Sequence, residues 1–164
     1  MPSFEEYANN LNLALIEATE NPVFLHFMEP DDIETVAYDL GNGLQAQEQA
    51  LARASVQRVI ERIFKWAQDA GVNLHHLICS KDKFNLCAKL NLPPGELMRQ
   101  LHDFLANEFV AAGLLISGAV ITAPIWAHFL LILSAIGIGF GVLAKICGCE
   151  PPPKNRPAAE PSPA

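Results

Sequence analysis

FVAAGLLISGAVITAPIWAHFLLILSAIGIGFGVLA, residues 109–144, runs for 36 positions without an Asp, Glu, Lys or Arg. A hydrocarbon core about 30 Å thick is spanned by roughly 20 helical residues, whereas this run would reach roughly 54 Å as one straight helix. The strong breaker inside it is Pro124, with Trp126 and His128 just beyond, residue types expected where a chain touches a membrane interface. The reading that follows is a transmembrane helical hairpin with a short arm over 109–122 and a longer one over 125–145. Gly113 and Ser117 in the first arm, and Ser134, Gly137 and Gly141 in the second, recur at helical spacing around the Pro124 turn. Small faces of this kind let backbones approach closely in lipid, either arm against arm or copy against copy. His128, the ionisable residue of the run, is expected at the interface. Both chain ends would then lie on the cytosolic side, in keeping with Lys145, Lys154 and Arg156 after the second arm.

Working outward, the expected fold is all-α: a helical domain over 1–95, an amphipathic connecting helix over 96–108, the hairpin over 109–146, and a Pro-rich tail over 147–164. The tail, with six prolines between Pro151 and Ala164, is expected to be disordered. Met1 to Glu20 carries four glutamates and no basic residue, the opposite of a signal peptide's charged start. The expected location is therefore an inner or plasma membrane with the N-terminal domain in the cytosol. Four cysteines, at 79, 87, 147 and 149, show neither a disulfide framework nor a paired zinc motif, which suits a reducing compartment. Cys147 and Cys149, past the second arm, are candidates for acylation or are plain small residues.

Charge divides the remainder. Met1 to Ala52 holds ten acidic residues and no Lys or Arg, while Arg53 to Glu108 holds eight basic and six acidic ones. Without a basic stripe, a chain of net charge -7 is a poor partner for nucleic acid.

Along the chain, Ser3 and Glu6 form a capping box for a helix that carries Phe4, Tyr7, Leu11, Ala14 and Leu15 and stops at Asn21-Pro22. Pro30 with Asp31 and Asp32 starts another helix, halted at Gly41-Asn42-Gly43. Ser55 opens the clearest amphipathic helix, with Val56, Val59, Ile60, Ile63, Phe64 and Ala67 on the core side and Arg58, Arg62 and Lys65 forming a basic ridge opposite. Leu97, Leu101, Phe104 and Leu105 mark an amphipathic helix leading into the hydrophobic run.

The segment Val59-Ile60-Glu61-Arg62-Ile63-Phe64-Lys65-Trp66-Ala67-Gln68-Asp69-Ala70-Gly71, followed by Leu74, Leu77 and Asn85, resembles the effector-associated domains of bacterial conflict systems. Asp39-Leu40-Gly41-Asn42-Gly43-Leu44 is similar to the Leu-Gly-x-x-Leu step of the same domains. The resemblance covers about residues 4–92. It implies a small death-like helical bundle that recruits partners by homotypic contacts. Two departures stand beside it: a Gln- and Ala-rich middle, and Leu86-Cys87 where a proline is often found.

Catalytic motifs are absent from the sequence: there is no phosphate loop, Gly-x-Ser-x-Gly or His-Glu-x-x-His. The expectation is a non-enzyme without cofactor or metal. His75 and Cys79 share a helical face but supply two of the four ligands that a structural zinc needs. Two functions fit these features. One is a membrane-anchored defence or cell-death effector, recruited through like helical domains and acting on the lipid bilayer. The other is a passive membrane-anchored adaptor that docks a partner effector. In both, the acidic Asp31, Asp32 and Glu34 and the basic Arg58, Arg62 and Lys65 are the interaction residues. Contact between these two patches would build a homo-oligomer head to tail.

Overall fold

The second half of the apolar run, from Ala123, makes the hub of a helical bundle. A computed structural model of the chain describes residues 2–41, 49–112 and 123–149. These form nine α-helices: α1 (Phe4–Asn9), α2 (Leu11–Glu20), α3 (Pro22–Phe27), α4 (Pro30–Gly41), α5 (Gln49–Asp69), α6 (Leu74–Cys79), α7 (Pro94–Ala112), α8 (Ala123–Gly139) and α9 (Val142–Cys147). A 3-10 turn covers Leu86–Lys89, and no strand occurs among the described residues.

Every position from Phe129 to Gly137 on α8 is buried. A helix that is apolar all round can lie in lipid or in the middle of a protein. Here α7, α2, α1, α3, α5 and α9 surround it. The membrane reading is therefore corrected. Among the described residues no helix is long and apolar enough to cross a membrane. At 17 residues, α8 is about 25 Å long by the helical rise, short of the roughly 30 Å hydrocarbon core. The expected membrane location, topology and membrane anchoring lose their basis with it.

Local chemistry explains where the expected hairpin stops being one. Pro124 occupies the first turn of α8, where its missing N–H costs nothing. The second arm is two helices rather than one, because Gly141 turns the chain in the left-handed region at φ +70. This turn folds α9 back onto α8, and a side chain at Gly137 would collide with Leu143. Gly137 thus serves packing within the chain and Gly141 the turn. Ser134 is fully buried in α8. Gly113, Ser117, most of the first arm and the tail from residue 150 lie outside the described residues.

The first expected helix is also two. Asn10 adopts an extended conformation (φ -148, ψ 92), closing α1 and capping α2 by accepting a hydrogen bond from the Asn12 N–H. An Asn side chain that satisfies the backbone locally competes with helix continuation. The Ser3–Glu6 capping box forms as the spacing predicts, with Glu6 N–H donating to Ser3 Oγ (3.2 Å) and Ser3 N–H to Glu6 Oε1 (2.8 Å).

One apolar core joins Tyr7, Leu15 and Phe24 to Ile60 and Ile63 of α5, Met98, Leu101 and Leu105 of α7, and Phe129 and Ile132 of α8. The expected boundaries at residues 95 and 108 both cut through it. Full burial of an aliphatic side chain contributes about 1.5–3 kcal/mol, so α7 and α8 carry a large share of the stabilisation.

The cysteine expectation is corrected as well. Cys79 is bonded to Cys147 and Cys87 to Cys149, tying the end of α9 to the end of α6 and to the 3-10 turn. Such bridges persist in oxidising surroundings rather than in a reducing compartment. Both juxtaposed C-terminal cysteines are thereby taken, which removes them as acylation sites.

Candidate interaction surface on α4 and α5

Of the six charged residues expected to act in docking, Asp32, Arg58 and Arg62 meet where the start of α4 crosses the middle of α5. Asp32, at 1% exposure, is the centre. Its Oδ1 accepts from Arg58 Nε (3.2 Å) and Nη2 (2.9 Å), and its Oδ2 from Arg62 Nη1 (2.6 Å) and the Glu29 backbone N–H (3.0 Å). Arg62 Nη1 also donates to the carbonyl of Phe27 (2.8 Å), and Arg58 Nη2 to Ser55 Oγ (3.0 Å). Arg62 Nη2 stands 3.5 Å from Glu29 Oε1.

Sequence spacing accounts for this arrangement. Asp32 lies three residues after Glu29, so its carboxylate reaches back to a free N–H at the helix start. Arg58 and Arg62 lie one helical turn apart on α5, so one buried acid can meet both. Burial would push the Asp32 carboxyl up, but hydrogen bonds from Arg62, the Glu29 N–H and Arg58 outweigh it and hold the group below its ordinary value. The node is internally paired: Asp32, Arg58 and Arg62 bond one another within one chain.

What remains outward is a set of both signs. Asp31 and Glu34 are exposed, and Lys65, 3.9 Å from Asp69, is 78% exposed at its side chain. Ile33, between Asp32 and Glu34, is 37% exposed, one of three large apolar residues so displayed among the described residues. The acidic and basic groups expected to meet between copies thus already meet within one chain, through Asp32, Arg58 and Arg62.

Other expected residues have different settings. His128 Nε2 lies 2.6 Å from Glu17 Oε2 of α2, both side chains partly exposed on the bundle, which corrects its placement at a membrane interface. These two residues, with Glu20 and Pro124, line an open groove of about 330 Å³. Near the α4–α5 face a second groove, of about 360 Å³, runs past Phe64, Lys65 and His75 to Ile146. A smaller cleft of about 220 Å³, lined by Leu11, Leu90, Leu97, Met98 and Ile138, opens at the far end of α8. Tyr7 Oη is buried without a hydrogen-bond partner among the described residues, and burial, then Glu17 and Glu6, push its hydroxyl up to about 12. Cys79 is committed to its bridge and cannot pair with His75 on a metal, and no cluster of three or more metal-binding side chains occurs among the described residues.

The class defined so far is an all-α bundle with a buried apolar central helix and two disulfides. No known protein family, curated protein or solved structure matches the chain. Nothing in these comparisons supports the expected place in antiviral defence, and the membrane anchoring on which a bilayer-acting effector depends has no helix to carry it among the described residues.

Proposed function

We propose that the chain is a helical recruitment module that binds a like helical domain, in the first instance a second copy of itself, through the α4–α5 face. The observation that carries this reading is the display of both charge signs and an exposed Ile33 on a face held rigid by the Asp32 node. The similarity of Val59–Gly71 to effector-associated domains agrees with it, and on this reading the helices before α7 are the death-like part of the bundle.

Outward charges of both signs on two helices joined by the Asp32 node change the expected assembly. A two-fold axis that sets Glu34 of each copy against Lys65 of the other pairs acid to base in both directions and closes as a dimer, where a head-to-tail contact would extend into filaments. Exposed ion pairs contribute about 0–1 kcal/mol each, and covering the rest of Ile33 about 1 kcal/mol, counted on both sides of the axis. The dimer is therefore weak, on the order of millimolar at the tightest, and the charges set specificity and salt dependence.

Sedimentation of the full chain over a wide concentration range tests this. Dimers should form at low salt and dissociate as salt rises. Glu34→Lys alone and Lys65→Glu alone should each stay monomeric, and an equimolar mixture of the two should form mixed dimers. A chain that remains monomeric at high concentration and low salt, or a mixture that does not associate, overturns the proposal.

A further inference from the structure

The two disulfides differ in their surroundings. Cys79 and Cys147 are partly buried, and Cys79 directly follows Leu77 and Ile78 of the core. Cys87 sits exposed on the 3-10 turn, bonded to Cys149, which is partly buried like the other two. Exchange begins when a thiolate reaches an accessible sulfur.

The consequences of opening each bridge also differ. Val142 and Leu143 of α9 are fully buried, and Cys147, at the end of that helix, is held to α6 by Cys79. Opening Cys79–Cys147 would loosen α9 from α8. Opening Cys87–Cys149 leaves that anchor in place and separates only Gly148-Cys149 from the 3-10 turn. Gly148 already stands in the left-handed region at φ +72 with open space around it.

We propose that Cys87–Cys149 is a thiol–disulfide exchange site whose co-substrate is a dithiol, while Cys79–Cys147 is the structural bridge. One thiolate of the dithiol bonds to Cys87 Sγ, breaking the Sγ–Sγ bond, and Cys149 leaves as a thiolate that takes up a proton. The second thiol of the dithiol, as its thiolate, then attacks its neighbour's sulfur, releasing the Cys87 thiolate. The dithiol ends as a disulfide and the protein bridge as two thiols, a two-electron transfer. The same steps run backwards when an oxidised dithiol meets the reduced pair.

The test titrates the oxidised full chain with dithiothreitol in one arm and with a reduced Cys-x-x-Cys protein in the other. Each sample is alkylated and its cysteines mapped by mass spectrometry. Cys87 and Cys149 should be labelled at a dithiol concentration at least about tenfold below that which labels Cys79 and Cys147. Labelling in the dithiothreitol arm alone marks a small-molecule dithiol, and labelling in both arms a protein dithiol as well. Hydrogen exchange of α9 should be unchanged at the first step. Bridges that open together, or Cys79–Cys147 opening first, overturn the proposal. A Cys149→Ser variant gives a second reading, because its Cys87 should alkylate rapidly in the native fold while Cys79 and Cys147 stay unlabelled. A Cys87 that reacts only after denaturation also overturns the assignment.

Discussion

Replacing Asp32 by Asn keeps the side chain's shape and removes the charge that Arg58 and Arg62 share. The carboxylate accepts four hydrogen bonds, and an amide has one oxygen to offer and a pair of N–H donors that face other donors. The acid is buried, while the Arg58 and Arg62 side chains are 49% and 31% exposed and can recover water. The loss should therefore fall between that of an exposed pair and the 3–5 kcal/mol of a broken buried one, at about 2–3 kcal/mol. In urea, with a slope of about 1–3 kcal/mol/M, the midpoint should drop by roughly 1–2 M at unchanged slope. The pH dependence has a fixed sign. The folded Asp32 carboxyl titrates below its ordinary value, while in the unfolded chain it titrates near about 3.9. Its stabilisation is fully present above the unfolded value and is lost as pH falls through the folded one. Urea curves of both proteins from pH 7 to pH 2 should show a gap that is constant above about pH 5 and closes below about pH 4. A difference under about 0.5 kcal/mol at pH 7, or a gap that does not narrow as pH falls below about 4, would refute the reasoning.

Two further substitutions probe the packing. Gly137→Ala pushes a methyl into Leu143, which is itself fully buried and has little room to move, so thermal unfolding should show a loss of about 1–3 kcal/mol. Leu101→Ala, on the part of α7 beyond the expected domain boundary, should cost about 2–5 kcal/mol in the same measurement, since Leu101 is fully buried; a loss under about 1 kcal/mol would return α7 to the role of an exposed connector.

How much of this was legible depended on the range of each interaction. The Ser3–Glu6 box, the Pro30 start and the apolar face of α5 are set by residues within four positions of one another, and each formed where spacing predicted. The pattern of α8 was equally legible as a helix, but a helix apolar on every side carries no information about whether lipid or protein surrounds it. The local sign was the Gly137-Ile138-Gly139-Phe140-Gly141 string, which breaks the second arm and folds α9 back. Residue types marked the acids of α4 and the basic residues of α5 separately, but Asp32 lies 26 and 30 residues from its two arginines, so its burial between them could not be seen. The cysteine partners stand 68 and 62 residues apart, and an even count of four was the only hint of them in the sequence.

Hydrogen exchange of the full oxidised chain in plain aqueous buffer, without detergent or lipid, tests most directly that residues 129–137 form the protected centre of the bundle. The account predicts that α8 amides from Phe129 to Ile136 exchange slowest of all and only through global unfolding, with α7 and the core face of α5 close behind. Rapid exchange along α8 in buffer, with protection gained only on adding detergent or lipid, would contradict it.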